Sequence, residues 1–354
     1  MQGQKQKVIA VPHPSRTAFI TGVAGFIGAA LAKRLLAEGW QVVGLDNLND
    51  YYSPALKQAR LDDLAAQPHA AHFAFHKLCL TDRDALLNLV TATQPTAIIH
   101  LAAQASVRYG LTHQLPYLES NLIGHFNMLM AAKALADAGT PVEHFLYASS
   151  SSVYGANSNS IDAAAFRETD NVSRPLSLYA ATKVADELIT YAWCNQFGLP
   201  ATGLRFFTVY GPWGRPDMAP LLFTQAIRKG ATIPLYNGGD LWRDFTYIND
   251  IIEAIVRLIP HPPAVGQGVS HTLYNLGNQQ PVQVSTFVAT LGRVLGQTPV
   301  TENREWPATE VYKTHADTSR LHAAIGWAPS TPLEEGLAHL AAWVSNGGAA
   351  LLDT

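Results

Sequence analysis

Three glycines, Gly22, Gly25 and Gly28, recur every third residue in the run GVAGFIG. Glycines at this spacing let a backbone turn tightly and approach phosphate oxygens. A helix that starts there adds free N–H groups and the positive end of its dipole. About 20 residues on, Asp46 ends an apolar run, where a carboxylate can hold the two hydroxyls of an adenosine ribose. The glycine pattern alone would be an ordinary turn; with its flanking apolar run, helix and acid it predicts dinucleotide binding. Asp46 would repel a phosphate on that ribose, so the expected cofactor is NAD rather than NADP.

Tyr179 and Lys183 stand four apart in YAATK, so on a helix they face the same way. A free tyrosine is a poor base, but a neighbouring ammonium and a positively charged nicotinamide ring both favour its phenolate. The pair could take a hydroxyl proton while a hydride leaves to the cofactor, and Lys183 could also hold the nicotinamide ribose. Taken alone, this spacing is a frequent accident of solvated helices. Four serines, Ser149 to Ser152, follow the apolar run HFLYA, at the strand end where such folds bind ligands. A serine hydroxyl there could share a proton with Tyr179 and a substrate oxygen.

These groups need elements to position them. Thr17 to Thr21 and Gln41 to Asp46 read as buried strands, with a helix between them whose Ala29, Ala32, Leu35 and Leu36 share a face and which stops near Gly39. Strand-like runs recur at Ala97 to Leu101, His144 to Ser149 and Thr202 to Phe207. Helical patterns at Leu118 to Ala138 and Tyr179 to Phe197 separate them. The alternation predicts an α/β fold, a doubly wound parallel sheet of Rossmann type. Beyond Thr208, proline and glycine become denser and helices shorter. We expect a flexible tail over residues 1–16, an NAD-binding domain over 17–207 and a smaller α/β substrate-binding region over 208–354, parts of which return to the first domain.

The chain has 354 residues, 48% of them hydrophobic and 14% charged, with a formal net charge of −3. This supplies a core readily and gives no general attraction for a nucleic acid. No apolar run approaches the roughly 20 residues that span a bilayer. Two cysteines, Cys79 and Cys194, make no disulfide framework and fit a reducing cytoplasm. His69, His72 and His76 lie close to Cys79 in sequence, but Phe73 to Leu78 alternates like a strand, which spreads the ligands, and no metal is expected. His100 reads as a core histidine.

The chain resembles the extended short-chain dehydrogenases/reductases of the nucleotide-sugar epimerase type. The resemblance rests on GVAGFIG, LDN (Leu45 to Asn47), LAAQA (Leu101 to Ala105), SNLIG (Ser120 to Gly124), SSSSVYG, YAATK and RDFTYI. Within that family, LRFFTVYGPWGRPDMA (Leu204 to Ala219) is most similar to UDP-glucuronate 4-epimerases. The resemblance implies Tyr179 as the base, Lys183 as its support and Ser150 as the catalytic hydroxyl. It implies a cofactor site drawn from Gly22, Gly25, Phe26, Ile27, Gly28, Asp46, Asn47, Leu80, Leu101, Ala102, Ala103, Gln104, Asn121 and Phe206. Thr208, Arg215 and Tyr236 then fall near the sugar, Arg243 at the diphosphate and Glu310 at the uridine. Two positions depart from the family: Cys79 replaces an aspartate near the adenine, and Thr309-Glu310 replace a glycine and an aspartate at the uridine end. Relatives pair through the two long helices, which implies a homodimer, with Leu118, Leu122, Phe126 and Leu129 offered as the contact.

The implied reaction is inversion at carbon 4 of a UDP-hexuronic acid. Its 4-keto intermediate is a β-keto acid, which loses carbon dioxide when the carboxylate bond stands perpendicular to the carbonyl plane. Ser151, Ser152 and Thr208 are expected to restrain that carboxylate. The nearest alternatives are a UDP-glucuronate decarboxylase, a UDP-glucose/galactose 4-epimerase and, from another class, a catalytically silent NAD-binding regulator. A dehydratase is disfavoured, because Ser151 and Ser152 stand where that class carries an acid pair.

Overall fold

The glycine loop lies between two apolar runs that become neighbouring strands. β1 (Thr17–Thr21) and β2 (Gln41–Asp46) pair in parallel, joined through α1 (Phe26–Ala37). The computed structural model describes residues 16–158, 162–266, 268–306 and 311–352. Nearly all of the expected N-terminal tail therefore lies outside the described residues, and so does Glu310.

The chain continues through α2 (Pro54–Ala65), β3 (Phe73–Lys77), α3 (Arg83–Thr93) and β4 (Ala97–His100). A single turn, α4 (Leu115–Tyr117), then runs through a π-helical segment at Leu118–Ile123 into α5 (Gly124–Asp137). β5 (His144–Ser150), α6 (Leu178–Phe197) and β6 (Ala201–Phe206) follow. The wide π turn differs from the plain helix expected at Leu118. It adds a residue to the turn, and such bulges recur at functional sites.

The second half begins with β7 (Thr208–Tyr210), α7 (Ala219–Arg228), β8 (Thr232–Tyr236), β9 (Trp242–Arg243), β10 (Phe245–Tyr247) and α8 (Ile248–Leu258). β11 (His271–Leu276), β12 (Val282–Gln283), α9 (Val284–Leu295), β13 (Val300–Arg304), α10 (Ser319–Ile325), α11 (Leu333–Trp343) and the short α12 (Ala349–Leu352) follow. The central sheet has seven strands in the order β11-β6-β5-β4-β1-β2-β3, every pair parallel. Three two-stranded pieces, β7 with β10, β8 with β13 and β9 with β12, form the smaller part.

The sheet order reverses direction between β1 and β4, and a crevice opens beyond the carboxyl ends of strands at such a point. Both faces of the sheet are covered. α8 buries Ile248, Ile251, Ile252, Ile255 and Leu258 at helical spacing and packs on α1. Each such side chain contributes about 1.5–3 kcal/mol on burial. In the smaller part, Phe245 and Phe287 stack with ring centres 4.1 Å apart. Helix α8 therefore fixes the glycine helix from behind, so the loop ahead of it has a rigid support.

Candidate active site

At the glycine loop, packing explains each residue type. Gly22 has a positive φ of 71°, and an added Cβ would press on the backbone of Ala102 beyond β4. A Cβ at Gly28 would collide with the carbonyl of Gly22. The first turn of α1 has no side-chain cap, and Gly25, Phe26 and Ile27 open onto a cavity. That leaves backbone N–H groups to meet an anion. Asp46 accepts the Ala24 N–H at 3.2 Å and the Leu48 N–H at 2.9 Å, which fixes its carboxylate at the cavity edge. An uncapped helix start with an oriented carboxylate beside it fits a dinucleotide.

The cavity measures about 800 Å³ and is continuous from this loop to the smaller part. Asn47, Leu80, Leu101 to Gln104 and Phe206 line it as well. Cys79 also lines it, exposed and 3.1 Å from the Thr81 hydroxyl. Asn121 corrects the sequence reading. It does not open onto the cavity but lies buried behind it, where its side chain accepts the Gln104 N–H at 2.8 Å and donates to Gln104 O at 3.0 Å and Thr182 Oγ1 at 2.9 Å. The π turn carries it there, so Asn121 shapes the wall through Gln104. His100 is a core residue, 2.7 Å from Thr21 Oγ1, which in turn accepts the Ala102 N–H.

Helix α6 starts at Ser177, whose hydroxyl accepts the Ala180 N–H at 3.1 Å. This cap sets Tyr179 and Lys183 on the first two turns, and both line the cavity. The edge of Tyr117 meets the Tyr179 ring at 6.3 Å. The Lys183 ammonium donates to Asp186 Oδ2 at 3.0 Å. Across from them, Ser150, Ser151 and Ser152 line the same cavity, and Ser150 Oγ accepts the Ser152 N–H at 3.2 Å. Ser149 also borders the cavity, and its hydroxyl donates to Glu187 Oε1 at 2.5 Å. Glu187 is itself held by two bonds from Arg205, at 2.8 and 2.7 Å.

Thr208, Arg215, Tyr236 and Arg243 line the far end. Ser150 pairs with Phe206 across β5 and β6, so Thr208 and Ser152 each follow two residues beyond one register point. Arg215 is paired with Asp217 at 2.6 Å, and the Tyr51 hydroxyl donates to the same carboxylate at 2.6 Å. Burial would raise the Asp217 carboxyl, but Arg215 and Tyr51 outweigh it and hold it below the usual value. Arg243 donates to Trp242 O at 2.9 Å, and Arg108 lies over the Tyr236 ring at 5.8 Å.

Arg60 and Asp244 are positioning residues that were not legible in the sequence. Buried Arg60 donates to Ala24 O at 2.8 Å, Tyr52 OH at 2.7 Å, and Trp213 O and Gly214 O at 2.7 and 3.0 Å. It ties the glycine loop to the GPWG segment. Asp244 accepts the N–H groups of Asn278, Gln279 and Ala316 and fixes the strand end beside Arg243. The motif RDFTY contains it, but only the flanking arginine signalled chemistry.

A family model described as NAD dependent epimerase/dehydratase matches residues 18–277. The chain belongs to the NAD-dependent epimerase/dehydratase family. It is 41% identical to a probable UDP-glucuronate 4-epimerase of Rhizobium meliloti (strain 1021), over 92% of this chain and 95% of that one. It is 39% identical to UDP-glucuronate 4-epimerase 3 of Arabidopsis thaliana, over 93% of this chain and 77% of the relative. Among solved structures, the UDP-glucuronic acid 4-epimerase of Bacillus cereus, in complex with UDP-glucuronic acid and NAD, superposes with a TM-score of 0.82 at 27% identity. That match covers 93% of this chain and 99% of the other. As a family member, the chain uses NAD. Among the described residues no group of three or more His, Cys, Asp or Glu could hold a metal ion, and no helix is long and apolar enough to cross a membrane.

Proposed function

We propose that the chain is a 4-epimerase that interconverts UDP-glucuronate and UDP-galacturonate. The observation that carries this reading is one continuous cavity shared by the glycine loop, the Tyr179–Lys183–Ser150 set and the polar end built from Thr208, Arg215 and Arg243. The relatives named for this activity support the choice of substrate.

When bound, NAD supplies a reversible hydride acceptor. The chain does the rest. Gly22, Gly25, Phe26, Ile27 and Gly28 hold the diphosphate of the cofactor, Asp46 and Asn47 its adenosine ribose, and Leu80 its adenine. Leu101 to Gln104 and Phe206 flank its middle and nicotinamide end, with Asn121 bracing Gln104. Tyr179 accepts the proton from the sugar 4-hydroxyl and later returns it, Ser150 hydrogen-bonds the same oxygen, and Lys183 favours the phenolate. Arg243 holds the UDP diphosphate with a planar fork suited to it, while Tyr236 and Arg215 bound the sugar. Ser151, Ser152 and Thr208 grip the carboxylate by hydroxyl hydrogen bonds and restrain its rotation while carbon 4 is a ketone.

Incubation with UDP-glucuronate or UDP-glucose, followed by product separation and a carbon dioxide assay, tests the reading. UDP-galacturonate without carbon dioxide is the expected product. Pentose formation with carbon dioxide release, or turnover of UDP-glucose alone, overturns it. Tyr179→Phe should lower turnover by about 10²–10⁴-fold while sparing NAD retention.

The same reading makes the enzyme a cytoplasmic homodimer. Leu115, Leu118, Ile123 and Phe126 are exposed on one helix, and Leu188, Tyr191 and Phe197 on its neighbour α6. The expected contact needs revision: Leu129 is fully buried in the core, and Leu122 is half-buried. The extra residue of the π turn rotates the helix beyond it, which brings Ile123 outward beside Leu118 and Phe126, both exposed as expected.

A further inference from the structure

Lys183 lies between two groups on α6. Tyr179 stands one turn before it and Asp186 one turn after. A long side chain on a helix ordinarily leans toward the preceding turn, here the turn of Tyr179. The structure shows the opposite: the ammonium is drawn forward onto Asp186 Oδ2 at 3.0 Å, with both side chains almost wholly buried. The other oxygen of Asp186, Oδ1, is buried with no hydrogen-bond partner. A half-satisfied buried carboxylate is costly to keep for stability alone.

We propose that Asp186 is the positioning residue that governs Lys183: it holds the ammonium away from the Tyr179 turn and offsets the positive charge on which proton transfer at the Tyr179 oxygen depends. This rests on the reading of Tyr179 and Lys183 given above. Lys183 then has two stations, one on Asp186 and one toward Tyr179 and the cofactor ribose, and the bound ligands compete with Asp186 for it.

The groups packed around the pair leave Asp186 as its counter-charge. His100 on β4 is pushed down to about 3 by burial and by Lys183, so it stays neutral. His125 on α5 is lowered well below its ordinary value, first by burial. Tyr147 on β5 is raised by burial and by Glu187 and Asp186. Glu187 is committed to Arg205. Burial raises the Asp186 carboxyl to about 6 against the pull of Lys183. Above that pH the carboxylate offsets the ammonium; below it the full charge of Lys183 acts.

Asp186→Asn makes the second condition permanent with almost no change of shape. The acid limb of turnover should move down by about one pH unit, the scale set by one charge at this range. The ultraviolet phenolate signal that Tyr179→Phe abolishes, measured on the protein as purified, should move the same way. Asp186→Leu, which also removes the charge, should give the same shift. A merely structural residue would lower activity at every pH and leave both midpoints in place, and that result in either folded variant overturns the proposal. Turnover retained by Tyr179→Phe would instead overturn the assignment of the base.

Discussion

A single added methyl decides whether the glycine loop can close. The Cβ of an alanine at position 28 would meet the carbonyl oxygen of Gly22 and the Cα of Val23, both backbone atoms held by β1 and β2. Backbone yields far less readily than a flexible side chain. Gly28→Ala should therefore lower stability by about 1–3 kcal/mol, the usual range for overpacking, and should reduce the NAD carried through purification. Thermal unfolding together with assay of the nucleotide released on denaturation would measure both. Unchanged unfolding with NAD retained would show that the loop relaxes, contrary to this packing argument. The glycines, Asp46, the serine run and the Tyr179–Lys183 pair, which the fold brings to one cavity, were legible because each was read from its residue type at fixed local spacing. Arg60, Asp186 and Asp244 were not. Their partners lie on other elements or depend on rotamers, and a lone charge in a helical pattern reads as a solvated face.

Strands were more legible than the turns between them. The apolar runs ending at Thr21 and Asp46 matched β1 and β2 residue for residue, because a strand buried on both faces is a continuous apolar segment. The π turn at Leu118–Ile123 could not be read, since one extra residue in a turn leaves no composition signal, and it altered which side chains face outward. The buried polar web behind the serines was equally hidden. Arg205 on β6 grips Glu187 on α6 through two bonds, and Glu187 accepts the hydroxyl of Ser149 at the end of β5. Three elements that carry the candidate active site are thus joined by one ion pair, nearly inaccessible to solvent. Glu187→Ala leaves a buried guanidinium without its carboxylate and should cost about 3–5 kcal/mol. Replacing both partners, Glu187→Leu with Arg205→Met, should recover much of that loss, because no charge is then stranded. Denaturant midpoints of the singles and the double would give the coupling. Strict additivity would mean that the two side chains do not act as a pair.

At the scale of the whole molecule, the helices that line the candidate active site also carry an exposed apolar surface. Helix α6 turns Tyr179 and Lys183 toward the cavity near its start, while Leu188, Tyr191 and Phe197 face out further along. The neighbouring helix sets Asn121 inward at the π turn and Ile123 and Phe126 outward. Phe126 and Trp193 meet edge to face at 5.4 Å, so the two outward faces adjoin as one surface. The proposed homodimer would pair this patch with its copy about a twofold axis, the commonest route to a closed dimer. Ile123→Glu with Leu188→Glu puts charge on positions already exposed, so the monomer fold should persist. Sedimentation should give twice the chain mass for the unmodified protein and one chain mass for the double variant, with unchanged helix content. Because a dimer through this patch would brace the turns that hold Asn121 and Lys183, turnover should fall several-fold in the same variant. An unmodified protein that sediments as a single chain would remove the dimer from the account, and the exposed face would then need another partner.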